Sequence, residues 1–537
     1  MKTKLGTFVT VLLAGTFATA AWAQELGRVH FETSCTPQAQ EKFDRGLAMV
    51  HSFFYPDSVQ AFTGAAAADP QCAIAYWGIA ISSRPNPLIL PLTTAVLKSG
   101  LEAVEKGKAI GAKTQRERDW LEAIELYYRD YERIDQTTRG LAYEKAMEGL
   151  TQKYPDDPEA AIFYALALNE TALPTDKTYA NQLKAGAILE RVAVTLPEHP
   201  GVLHYLIHSY DYPPLAQRAL DAANMYAKVA PAAQHAQHMP AHTYSMLGLW
   251  TQSVASNTKS RAAAQEQAAR LWPGAAHPGE PHHLDFAEYA LLQMGQEGPA
   301  KQLRDESNAI RKLGFDYLPS YTALAAVPAR FALERQAWSE AAALEPRGSK
   351  FPQAEAITYF ARAMGSGRNG DLVAAEREVG KLKELRAALE NASQSYWAAQ
   401  VEIQMLAASA WIAQAKNEKE MALKLMRTAA DLEDSSAKHI AMENRLYPMR
   451  ELLGDLLLEQ QQPGPALTEY ETSLVSTPNR LRGLYGAAKA AEAASQPEKA
   501  TAFFRKLVEL TKEADADRVE IREAKTYLIQ PERPPRG

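Results

Sequence analysis

The sequence predicts an all-α fold built from repeated helical hairpins. Three observations carry that prediction. The chain is rich in Ala and poor in β-branched runs, and its 31 Pro and 29 Gly fall mostly between periodic apolar segments, a pattern of helices separated by turns. Its 537 residues exceed what one core holds, which calls for several domains or a long repeat array. Finally, His204 and His208 are four apart, as are His238 and His242, and the second pair follows the first by 34 residues, a period of helical-repeat units.

The elements follow in chain order. Residues 1–23 place Lys2 and Lys4 before an apolar run from Leu5 to Ala20 and end in Ala21-Trp22-Ala23, the pattern of a secretory signal peptide cut after Ala23. A membrane anchor is the alternative. No other stretch reaches the roughly 18 apolar residues needed to span a bilayer, so a soluble mature chain in the periplasm or secreted is expected. Removing the leader takes two Lys from the 58 basic residues and none of the 64 acidic ones, leaving a net charge of −8. That balance argues against nucleic acid as a partner. Cys35 and Cys72, the two cysteines, then predict one disulfide in an oxidising compartment, with a pair of buried free thiols as the alternative.

Residues 24–92 carry the repeat pattern. With Gly46 at position 8 of a unit, Ser58, Phe62, Ala65 and Pro70 fall at positions 20, 24, 27 and 32, where such a unit wants small, bulky, small and turn-forming residues. Gly454, Ala466, Tyr470, Ser473 and Pro478 repeat this in the C-terminal stretch 446–527. Residues 141–310 hold the His-rich central units, and 311–445 are helical by period but match the pattern poorly. The Pro-rich break from Ser82 to Leu92 leads into residues 93–140, expected as a helical insertion or lid with a capping box at Thr114. The Pro/Gly/His stretch 267–283 is expected as a loop, and 528–537 as a disordered tail. On these residues the chain resembles tetratricopeptide-repeat proteins, which implies a helical-hairpin superhelix, an α-solenoid. The segments FDRGLAMVHSFFY, AAAADPQCAIAYWGIA, HYLIHSYD, APAAQHAQHMPAH and LGLW, with Cys35, resemble more narrowly an exported bacterial family of such proteins with no established activity.

The stretch His199–Met246 holds six of the twelve histidines. Aligned on the repeat, His204, His208 and Asp211 fall at positions 5, 9 and 12. In the next unit His235, His238, His242 and Met246 fall at 2, 5, 9 and 13; in the one after, His282, Asp285 and Tyr289 fall at 2, 5 and 9. The resemblance implies that these positions line a concave groove. Packed helices lie about 8–10 Å apart, so imidazoles from neighbours can converge on one ion, and a single site built from His204, His208, His238 and His242 is expected. Imidazole with carboxylate suits zinc, copper or nickel, and Met246 or Met239 would bias the site toward copper. Pro240 should kink the helix that carries His238 and His242.

Three readings follow. The first is a groove that binds a transition metal, copper or zinc, or a small ligand through it. The second is a scaffold whose groove holds a peptide or another exported protein. The third is a metal-dependent hydrolase with Asp211 or Asp285 as base. A buried polar network of histidines without any ligand is the bland counterpart of all three. No HExxH, CxxCH or GxSxG is present, and no Gly-rich loop in the strand–loop–helix setting that cradles phosphate, so neither a nucleotide nor covalent haem is expected.

Overall fold

The computed structural model describes residues 25–84, 86–442 and 444–529. The expected leader and its cleavage site lie outside the described residues, as does the tail from residue 530. Among the described residues the fold is all-α, an array of tetratricopeptide-like helical hairpins, with one isolated bridge between Ala276 and Leu313. No helix among them is long and apolar enough to cross a membrane.

The chain forms two compact units. Unit 1 comprises residues up to 172, 180–209 and 221–237; unit 2 comprises 173–179, 210–220 and the chain from 238 onward. The helices of the first stretch are α1 (Pro37–His51), α2 (Tyr55–Ala68), α3 (Ile74–Ser82), α4 (Thr94–Ile110), α5 (Gln115–Tyr128), α6 (Gln136–Lys153), α7 (Pro158–Thr171), α8 (Ala180–Ala193), α9 (Pro200–Tyr210), α10 (Leu220–Val229) and α11 (Gln234–His238). The second stretch holds α12 (Pro240–Met246), α13 (Trp250–Leu271), α14 (Glu280–Gln293), α15 (Glu297–Ala309), α16 (Leu318–Glu334), α17 (Trp338–Ala342), α18 (Pro352–Arg368), α19 (Leu372–Asn391), α20 (Ser395–Ala415), α21 (Lys419–Ser435), α22 (Met449–Glu459), α23 (Pro463–Ser476), α24 (Leu481–Ala493), α25 (Pro497–Leu510) and α26 (Val519–Ile529).

The repeat pattern has a direct steric cause. A Cβ added at Gly46 would lie 3.1 Å from the Phe62 ring and one at Gly78 2.2 Å from it, so the ring is clamped between two glycines of successive hairpins. Tyr470 is clamped in the same way, at 2.8 Å from Gly454 and 2.2 Å from Gly486. The Gly486→Ala variant is expected to lose about 1–3 kcal/mol through overpacking. A thermal midpoint equal to that of the parent would contradict this account.

In unit 1, α4 and α5, expected as a helical insertion or lid, are part of the core. Trp120 of α5 packs edge-on to Phe31, Trp77 and Phe163 at centroid distances of 5.2, 5.0 and 5.7 Å. Most charges of α5 face outward, Glu117 excepted, while Trp120, Leu121, Ile124, Tyr127 and Tyr128 are buried. The capping box at Thr114 forms with Glu117. Cys35 and Cys72 are disulfide-bonded, with Cα atoms 5.0 Å apart; the bridge ties the segment before α1 to the turn between α2 and α3.

In unit 2 the stretch 311–445 forms regular helices, and α13 and α14 extend into the expected loop, leaving 272–279 as its irregular part. The last helix reaches Ile529, two residues into the expected tail. The C-terminal hairpins pack back on α13–α16. Trp250 donates from Nε1 to the Asn479 carbonyl at 2.8 Å, and Leu481 N donates to Gln293 Oε1 at 3.0 Å. Arg480 is fully buried and pairs with Glu451 and Glu334, each at 2.8 Å, and donates to Tyr289 OH at 2.9 Å. Asp285 is paired with the buried Arg330. Two residues expected on an open groove, Asp285 and Tyr289, are therefore interior, covered by arginines from other repeats.

Candidate metal centre

The two histidine pairs sit where helical spacing puts them. Pro200 opens α9, and His204 and His208 share one of its faces. Pro240 divides α11 from α12, yet Met239 keeps helical angles (φ −53°, ψ −35°). The hydrogen-bond ladder is interrupted there without a change of direction that would part the rings, so His238 and His242 remain side by side.

The expected single site of four histidines is replaced by two triads, one in each unit. His204, His208 and His235 form one, and His238, His242 and His282 the other; within each, the potential ligand atoms all lie within 4.8 Å of one another. Positions 5 and 9 of one repeat meet position 2 of the next. The 34-residue spacing marks equivalent places in successive hairpins, whereas convergence depends on the offset between neighbouring first helices. His204, His208, His238, His242 and His282 are all buried, and His235 is half-buried.

The second triad has its hydrogens assigned by its surroundings. His242 donates from Nδ1 to Asp211 Oδ2 at 2.8 Å, and Lys438 Nζ pairs with the same oxygen at 2.9 Å. His238 Nδ1 faces Asn257 Oδ1 at 2.7 Å. The Asn257 amide is oriented by its own donation from Nδ2 to Ser253 O at 2.8 Å, so His238 is the donor. His238 is neutral, so with its Nδ1 hydrogen committed it turns an unprotonated Nε2 toward His242 Nε2 at 3.1 Å. Asp211 is thus a supporting residue behind His242, where sequence reasoning made it a ligand. Met246 ends α12 half-buried.

Phe286 packs against all three rings of this triad at 4.8–5.0 Å. Burial, reinforced by His242, pushes His238 down to about 3, so it is neutral at pH 7. Asp211 is held well below the ordinary carboxylate range: burial opposes ionisation, and Lys438 and His242 outweigh it.

A third cluster went unread in the sequence. His51 and His199 each place Nε2 2.9 Å from Glu159, one on each carboxylate oxygen. His51 Nδ1 lies 3.1 Å from Tyr205 OH. Two N–H donors satisfy the carboxylate, which makes this a closed hydrogen-bonded network. Burial opposes the charge on Glu159, but the two imidazoles hold its carboxyl below the usual value. The signal was present, since counting from Gly46 at position 8 puts His51 at position 13.

Burial also pushes His277 and His439 down to about 4. Both are neutral in the folded chain and protonate near 6.5 once unfolded. Between pH 6.5 and 4 the unfolded state binds more protons, so stability is lost as the pH is lowered, by up to about 1.4 kcal/mol per pH unit for each group. Stability that stays flat across that window would contradict their burial as neutral rings.

No protein-family model matches the chain, and no curated protein sequence does. Among solved structures it is similar to human IFIT1, in a dimer with m7Gppp-AAAA, at 11% identity and a TM-score of 0.35, covering 92% of this chain and 99% of that one. Yeast Tom70 matches at 12% identity and a TM-score of 0.33, covering 91% and 94%. Cut9–Hcn1, an APC/C hetero-tetramer, matches at 12% and 0.31, covering 92% and 90%. The fold assignment rests on the chain's own hairpins.

Proposed function

We propose that this is an exported helical-repeat protein that binds a divalent transition metal, zinc or copper, through His238, His242 and His282. The observation that carries the reading is the convergence of three imidazoles on one space, with the Nε2 atoms of His238 and His242 3.1 Å apart. Two ligands about 2.0–2.1 Å from one ion, at angles from square to tetrahedral, stand roughly 2.9–3.4 Å apart. A shared proton would need only two nitrogens, and a third imidazole converges on the same space. Asp211 behind His242 is the carboxylate–histidine support that metal ligands use to fix tautomer and orientation. Three neutral imidazoles suit Zn(II) and Cu(II), and such an ion would supply Lewis acidity.

The other readings lose support. A peptide groove needs an exposed lining, and the residues expected to line it are buried, save His235 and Met246, which are half-buried. For the hydrolase, Asp285 is engaged by Arg330 and Asp211 by His242 and Lys438, so neither expected base is at hand. Export rests on the leader pattern and agrees with a disulfide.

Metal analysis of untagged protein dialysed against Zn(II) should give one ion per chain, and none at this triad in the His282→Ala variant. A ratio well below one in the parent, or the same ratio in the variant, would sink the reading.

A further inference from the structure

We propose that His204, His208 and His235 form a second metal site, and that this site takes monovalent copper, Cu(I), in preference to a divalent ion. It shares no ligand with the centre above and stands whether or not that centre holds an ion.

The ligand geometry comes first. His204 donates from Nδ1 to the His51 carbonyl at 2.6 Å, which leaves its Nε2 unprotonated. That nitrogen faces His235 Nε2 at 3.1 Å, again the separation of two ligands on one ion, and His208 completes the triad. The fixing group differs between the sites. A carboxylate stands behind His242; a neutral carbonyl stands behind His204.

The walls differ as well. Phe53 lies 4.4 Å from His204, 5.1 Å from His235 and 5.9 Å from His208, centroid to centroid. Tyr226 stacks on His204 at 5.2 Å, and Tyr205 lies 5.1 Å from it. Phe53 holds φ at +50°, a left-handed conformation that bulky residues rarely adopt, and strain of this kind gathers at ligand sites.

The charge on the ion decides the selectivity. The cost of moving an ion into a low-dielectric interior grows as the square of its charge. A divalent ion therefore meets about four times the desolvation cost of a monovalent one of equal size. Three nitrogens also complete a trigonal shell for Cu(I), whereas zinc would bring a water with it as fourth ligand. His235, half-buried beside two buried partners, is the side from which an ion enters.

Metal-free protein would be titrated anaerobically with Cu(I), supplied as its acetonitrile complex, against bicinchoninate, and separately with Co(II) as a divalent probe. His235→Ala, at a half-buried position and checked for helix content by circular dichroism, should weaken Cu(I) binding on the order of 100-fold or more and leave Co(II) binding as in the parent. His282→Ala should do the reverse. X-ray absorption of the Cu(I) form should show three nitrogen neighbours. A tight Cu(I) ion that persists in the His235→Ala variant, or a Co(II) ion lost from it, overturns the assignment.

Discussion

Replacing His242 with Ala is expected to weaken divalent-metal binding at the His238–His242–His282 triad by more than about 100-fold, and Asp211→Asn by about 10–100-fold. The alanine removes a ligand. The asparagine keeps an oxygen that can accept from Nδ1 but removes the charge that orients the ring and makes its Nε2 more basic. Because protons compete for the imidazole nitrogens, binding in the parent should also weaken in acid, and burial defers this at His238 to about pH 3. Isothermal titration of the parent and both variants checks the order. Equal affinities for parent and His242→Ala would remove the metal reading of this triad.

The largest stability change is expected at Arg480. Its guanidinium is fully buried between Glu334 and Glu451. Arg480→Ala leaves two buried carboxylates without their cation, a loss of about 3–5 kcal/mol. Burial already pushes the Glu451 carboxyl above its usual value, with Arg480 as the largest opposing influence. With the arginine gone, Glu451 should bind a proton more readily in the folded chain. The variant should then be less handicapped at pH 5 than at pH 8. Adding Glu334→Gln and Glu451→Gln should recover part of the loss. A destabilisation that is equal at both pH values, and not relieved by the glutamines, would show that Arg480 acts through packing alone.

The hairpins were legible because their determinants are local. Gly46 and Phe62, or Gly454 and Tyr470, announce a clamped ring by spacing alone. The histidine pairs were legible for the same reason, since a four-residue interval puts two rings on one face. Their third members were named at position 2 of their units, but which pair each completes was not legible. His235 and His282 join through the offset between consecutive repeats, which no spacing within one helix reveals. Trp120 hides on a helix whose visible character is charge, and its place beside Phe31 and Trp77 is set by residues 43 and more positions away. The open groove failed as an expectation because Arg330 and Arg480 reach it from elsewhere in the chain, the latter 191 residues beyond Tyr289.

The interleaving of the two units bears on how the chain is made and cut. The backbone passes from one unit to the other at 172/173, 179/180, 209/210, 220/221 and 237/238. When residue 237 has been synthesised, every residue of the first unit exists, while 173–179 and 210–220 still wait for the rest of theirs. A protease that nicks the chain once, after 237, would leave an N-terminal fragment holding those two pieces of the second unit. Neither unit corresponds to one continuous length of gene, so truncation at any single codon cannot deliver one of them whole and unmixed.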